Sequence, residues 1–141
     1  MNTREQMDRI DMDICRSAAL YGEWAKNHGI TYNMLVVLCA LDQAPDCTQK
    51  QISEERMIPK QTVNTIIKEL ERKGYLQISE GEREKRVSFT ENGRVYAGAI
   101  LEKLYQLEDR VMERMGPEMC RAMLESQRAF TQALSQEVHR E

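Results

Sequence analysis

Between Pro59 and Lys73 the chain concentrates the side chains that read nucleic acid: amides at Gln61 and Asn64, hydroxyls at Thr62 and Thr65, and cations at Lys60, Lys68 and Arg72. An amide can bond adenine at two points, and a lysine can reach guanine or a phosphate. At about 100° per residue, Val63, Ile66, Ile67 and Leu70 fall in one arc, which predicts a buried face. Gln61, Thr65, Lys68 and Arg72 point the other way, with Asn64 on the flank. The amides and hydroxyls crowd the N-terminal half, the end at which the second helix of a helix-turn-helix meets base edges. A helix N-terminus also favours a nearby phosphate. Lys60, Gln61, Thr62, Asn64, Thr65 and Lys68 are therefore candidate DNA contacts. The ordinary alternative is a solvated polar face, which any amphipathic surface helix shows. The segments on either side decide between the two.

A second polar cluster, Glu80-Gly-Glu-Arg-Glu-Lys-Arg86, reads as a hairpin tip with three basic residues. An arginine on such a tip can lie along the narrow, negative minor groove, so Arg83 and Lys85 join the candidates. The three glutamates fit a solvated, self-compensating turn just as well.

Other chemistries lack their residues. Cys15, Cys39, Cys47 and Cys120 form no CxxC pair, and only His28 and His139 are available, so no zinc spacing and no cofactor is expected. Cys39 lies in an apolar run and is expected to be buried. There is no phosphate-cradling glycine loop, no HExxH and no GxSxG, which argues against an enzyme. The net charge of −3 argues weakly against nucleic acid. Its distribution points the other way: residues 48–94 hold ten Lys and Arg against eight Asp and Glu, between acidic flanks. No apolar run approaches the ~20 residues that span a bilayer. The polar start Met1-Asn2-Thr3-Arg4-Glu5 does not read as a secretory signal, and a cytoplasmic location is expected.

The elements that must position these residues follow from periodicity and punctuation. Met7, Ile10, Ile14, Ala18, Tyr21 and Trp24 (or Ala25) recur at helical steps and predict a helix from Thr3 to His28, capped by Thr3 with Gln6 and stopped by Gly29. Thr31 caps a second helix whose uninterrupted apolar run, Met34 to Leu41, predicts a central, buried position. Ala44-Pro45-Asp46 breaks it. Thr48 and Gln51 form a capping box for a short helix to Arg56, and Pro59 opens the next helix at its first position. Two strands, Tyr75–Ser79 and Arg86–Phe89, flank the polar turn. Thr90 caps a long helix to Met115, with Val95, Leu101, Leu104, Leu107 and Val111 as its stripe. Gly116-Pro117 starts a last helix carrying Met119, Met123, Phe130 and Leu134. The expected fold is mostly α with a small β-hairpin: a winged helix-turn-helix lobe over residues 31–90, within a single domain over 1–141.

Two stretches carry a family resemblance. One runs from Ile52 to Leu76 and contains Thr62-Val63, Ile67, Leu70-Glu71 and Gly74. The other is Lys85-Arg-Val-Ser-Phe-Thr-Glu-Asn-Gly93. Together they resemble the MarR family of transcriptional regulators, and with the flanking helices the resemblance extends over nearly the whole chain. It implies a two-fold homodimer clasped by helices in residues 1–30 and 91–141, binding a double-stranded DNA operator. It also implies a small-molecule effector site where each clasp meets the lobe; Tyr21, Trp24, His28 and Tyr32 are its candidate lining, and simple packing is the competing reading. Repression relieved by a small molecule or an oxidant is the expected mode. Cys15 lies in the first helix but matches no family sensor position. The wing departs from the family: Gly81-Glu82-Arg83 stands where an Asp-Arg-Arg-like stretch is usual, and the hairpin is shorter. A winged helix used for protein contact alone, and a PadR-type repressor, are the alternative readings.

Overall fold

The first three helices each begin at a side chain that accepts a backbone N–H. The computed structural model describes residues 1–141. In α1 (Thr3–Asn27) the cap is Asn2, which accepts from the Glu5 N–H at 3.0 Å while Glu5 accepts from the Asn2 N–H at 2.9 Å. The expected Thr3–Gln6 pair is displaced by one residue, because Asn ranks above Thr as a cap and Glu5 completes the reciprocal pair. Thr31 caps α2 (Tyr32–Gln43), accepting from the Met34 N–H at 3.1 Å. Thr48 and Gln51 form the expected box at the start of α3 (Gln49–Arg56), with bonds of 3.1 and 2.8 Å.

The chain continues through α4 (Lys60–Arg72), β2 (Leu76–Ser79), β3 (Arg86–Phe89), α5 (Glu91–Met115) and α6 (Pro117–Val138). Ahead of α3 lies β1 (Cys47–Thr48), a strand the sequence does not announce, since two residues carry no alternation. The sheet has the order β1-β3-β2 with both pairings antiparallel, Cys47 opposite Val87 and Leu76 opposite Phe89. The fold is thus mostly helical, as expected, with a three-stranded sheet in place of a bare hairpin.

The chain divides into two compact units, Met1–Leu101 and Glu102–Glu141. In the first, α2 is central and packs against α1, α3, α4 and β3. Its Met34, Leu35, Val37, Leu38, Ala40 and Leu41 are buried, together with Ile52, Ile58, Val63, Ile67, Leu70, Leu76 and Val87. Cys39 is only half-buried, because it lies off that face; Cys47, carried into the core by β1, is the buried thiol. Along α1 only Ala25 is buried, and the stripe residues Ile10 and Ile14 are exposed. On α5 the buried face within this unit is Gly93, Ala97 and Leu101, while Val95 is 71% exposed. Val95 was expected inside on apolarity alone. Small residues one helical turn apart instead allow the close approach, and Val95 lies roughly 200° around from Gly93.

In the second unit α6 begins at Gly116-Pro117, and none of its residues is buried. Val111 and Met112, near the end of α5, are also exposed. No helix is long and apolar enough to cross a membrane.

Candidate nucleic-acid interface

The α3–α4 turn fixes the direction of α4. The Ser53 hydroxyl donates to the Ile58 carbonyl at 2.6 Å, and the Ile58 N–H donates back to the Ser53 carbonyl at 3.2 Å. Ile58 is buried, so the turn is pinned from inside. Met57 takes the left-handed conformation (φ 55, ψ 42) and is 86% exposed. Pro59 serves as the N-cap of α4, one place before the expected first helical position, and no side chain caps this helix. Its first N–H groups therefore lack a side-chain acceptor, unlike those of α1 to α3.

The faces of α4 divide as the periodicity predicts. Val63, Ile66, Ile67 and Leu70 are buried; Lys60, Gln61, Thr65, Lys68 and Arg72 are exposed; Thr62 and Asn64 are half-buried at the margin. The Thr65 hydroxyl donates to the Gln61 carbonyl at 2.9 Å. Its donor is thus used within the helix, and what it offers outward is a lone pair and a methyl group. That combination suits the methyl of thymine. At the C-terminal end Lys73 pairs with Glu69 at 3.3 Å, which offsets one of the cations there.

The wing is built on the β2–β3 pairing, with Ser79 opposite Arg86 and the loop of residues 80–85 between them. Gly81 is required by close approach, since a Cβ there would collide with the Glu84 carbonyl. The three basic residues of the wing do different jobs. Arg86 donates from Nη1 to the Asp46 carbonyl at 2.8 Å and lies opposite Thr48 in the register, so it ties the wing base to the start of α3. Arg83 and Lys85 are exposed on the loop. An open groove of about 840 Å³ separates the wing from α3, with Lys50 and Glu54 on one wall and Glu80, Glu82, Arg83 and Glu84 on the other. Charge of both signs therefore meets any polyanion approaching the wing.

Of the four candidate effector residues, Tyr21 and Trp24 lie on the last turns of α1, His28 is its C-cap and Tyr32 opens α2, and contact is seen between Trp24 and His28. The Trp24 and His28 rings stack at 3.9 Å and 20°, and His28 Nδ1 lies 2.8 Å from the Trp24 carbonyl. A carbonyl only accepts, so Nδ1 carries the proton of that bond. Trp24, His28 and Tyr21 are half-buried and Tyr32 is exposed. The stack uses one face of each ring for internal packing.

Two further groups have altered acidity. Burial pushes the Cys47 thiol above its ordinary value, with Glu55 and Asp46 adding to the rise and a backbone hydrogen bond and Arg86 opposing it. Burial likewise raises the Tyr96 phenol, opposed by Lys73. Sequence reasoning missed β1, the anchoring role of Arg86 and the internal bond of Thr65. The first two depend on a partner some 40 residues away in the chain.

Comparison with known proteins places this architecture. A profile described as the MarR family matches residues 28–86, from the end of α1 to the wing. The transcriptional regulator SarZ of Staphylococcus epidermidis is 29% identical over 77 residues, 52% of each chain; the chain thus spans about half the length of the curated relatives it matches. A MarR family regulator from Neisseria meningitidis superposes with a TM-score of 0.85 at 28% identity, covering 98% of this chain and 97% of that one. Streptococcus pneumoniae FabT, solved in complex with DNA, superposes with a TM-score of 0.69 at 23% identity, covering 94% and 98%. With its helix-turn-helix, its three-stranded sheet and its long flanking helices, the chain has the fold of MarR family winged helix-turn-helix regulators, and residues 28–86 match that family.

Proposed function

We propose that the protein is a homodimeric regulator of transcription that binds double-stranded DNA sequence-specifically, with α4 in the major groove and the wing over residues 80–86 at the minor groove. The division of α4 carries this reading. Four apolar side chains commit one face to the core, and Lys60, Gln61, Thr62, Asn64, Thr65 and Lys68 occupy the rest of its N-terminal two-thirds. Held this way, amides and a methyl group can reach base edges while the lysines meet phosphate. FabT, a chain of the same fold, was solved with DNA, which supports the same direction.

The lobe over residues 31–90 does the reading, and the helices of 1–30 and 91–141 make the dimer. Ile10, Met12, Ile14 and Leu20 on α1 and Met119, Met123, Leu124 and Leu134 on α6 are exposed, and a second copy is the natural cover for them. Two copies would set their recognition helices about one DNA turn apart, ~34–36 Å. Selection from a random duplex library with the full chain tests the reading. Enrichment of an inverted repeat with that half-site spacing supports it; equal binding to all duplexes, or to none, overturns it.

Control follows the same logic. The regulator acts as a cytoplasmic repressor released by a small molecule or an oxidant, and Tyr21, Trp24, His28 and Tyr32 are the candidate lining of its effector site. A ligand there must distinguish DNA-bound from free protein by roughly 1–3 kcal/mol. Linkage then requires operator DNA to change ligand affinity by the same factor, and calorimetry showing equal affinity with and without DNA would remove this part of the reading.

A further inference from the structure

The segment Thr90-Glu91-Asn92-Gly93, prominent in the sequence, belongs to no part of the interface described above. Its contacts are to the backbone that leaves the recognition helix. The Thr90 N–H donates to the Tyr75 carbonyl at 3.0 Å, and the Thr90 hydroxyl donates to the Gly74 carbonyl at 2.6 Å while accepting the Gly93 N–H at 3.0 Å. Gly93 is buried, and a Cβ there would fall inside contact distance of the Tyr75 carbonyl, so only glycine lets α5 come this close. One turn further along, the Tyr96 ring stacks on Tyr75 at 4.2 Å and 6°, nearly parallel. On the other side, Gly74 and Tyr75 donate to the Glu71 and Leu70 carbonyls at 2.9 Å each, the last turn of α4. Two residues are thus bonded to the end of one helix and the start of another.

We propose that Thr90, Gly93 and Tyr96 are positioning residues for DNA recognition: they weld the end of α4 to the start of α5 and so fix the angle at which the recognition helix stands to α5. The proposal rests on α4 being the recognition helix. Hydrogen bonds to two successive carbonyls, a glycine approach and a flat ring stack restrain translation, distance and tilt together, which apolar burial alone does not. The angle matters because the part of α5 within this unit, Glu91–Leu101, is already ~16 Å long, so a tilt of ~5° at its start moves Leu101 by ~1.4 Å. In a dimer that binds two half-sites at a set spacing, a loosened angle weakens simultaneous engagement. It leaves the contacts of one lobe to one half-site intact.

The test uses the full chain, the inverted repeat it selects from a random library, and the same duplex with one half-site scrambled. Thr90→Val removes the hydroxyl, Tyr96→Ala removes the stack, and Tyr96→Phe keeps a ring in place. The first two are expected to lower affinity for the two-half-site duplex about tenfold more than for the single-half-site duplex, a size typical of coupling through a packed junction. Tyr96→Phe should match the parent. Equal losses on both duplexes, or no loss in a variant whose circular dichroism is that of the parent, would overturn the proposal. If the parent chain prefers no duplex, the DNA reading fails instead, and the weld is judged by hydrogen exchange. The Thr90 and Gly93 amides are then expected to exchange only with the buried amides of α4; exchange through a separate local opening contradicts the weld.

Discussion

α4 and α6 both carry an apolar stripe, and only one of them is covered by its own chain. Val63, Ile66, Ile67 and Leu70 of α4 are at most 8% exposed, whereas Met119, Met123, Leu124 and Leu134 of α6 are all more than half exposed. Helical periodicity says that a face must be hidden; it does not say from what. In α4 the hidden face meets α2, α3 and β2, which leaves the opposite face polar and fixed in direction. In α6 the face is left uncovered, and its methionines and leucines are the side chains that a protein surface does not ordinarily leave in such numbers. The two stripes are therefore proposed to serve different purposes, one holding α4 in place to read DNA and the other bringing two copies together.

The largest effect that can break this contrast is a cavity. Ile67→Ala opens the fully buried side of α4 and is expected to cost ~2–5 kcal/mol of stability, read as a lowered denaturation midpoint. A change near zero would mean that the face is not committed to the core. Next comes the other stripe. Leu124→Asp puts a charge on a side chain that is 59% exposed, so the lobe should stay folded while sedimentation moves from dimer to monomer at micromolar concentration. A chain that stays dimeric would show that α6 is not the dimer face.

A milder version of the same contrast divides the interface itself. Four buried side chains hold α4, but the loop of residues 80–85 depends on Gly81 and the Arg86 tether at its base, and its glutamates oppose its own cations. Arg83→Ala should therefore cost less affinity than any change on the outward face of α4, chiefly by weakening a preference for narrow, A·T-rich flanks. Unchanged affinity would mean that the helix acts alone. The smallest effect is chemical. Burial raises the Cys47 thiol, so the folded chain holds that proton more tightly than the unfolded one. Its contribution to stability is complete below the ordinary thiol value of 9.0 and is lost as pH rises through the higher folded value. Near neutral pH an alkylating reagent should modify exposed Cys15 well before Cys47, and equal rates would contradict the burial.

Much of this is legible in the sequence, for identifiable reasons. The two faces of α4 follow from four β-branched or leucine side chains at helical spacing, and the Thr48–Gln51 cap from a local reciprocal pair. Local signals carried local structure. What escaped was decided at a distance or by small residues. β1 is two residues long and exists because β3 is beside it. Arg86 looked like one more cation of the wing until its carbonyl partner at Asp46 appeared. Val95 outranks Gly93 and Ala97 in apolarity, yet close backbone approach at Gly93 chose the buried face of α5. The Asn2 cap was missed by preferring Thr3, one residue along.

The central claim is that the outward face of α4 reads bases at its N-terminal end and holds phosphate further on. Affinities for the selected duplex and for a scrambled one, measured across a salt series, test it most directly. Gln61→Ala and Asn64→Ala are expected to lose ~1–3 kcal/mol on the selected duplex with little change on the scrambled one. Lys68→Ala should weaken both and reduce the salt slope by about one per subunit. If the Gln61 and Asn64 variants lose both affinities equally, α4 does not read sequence and the account is wrong.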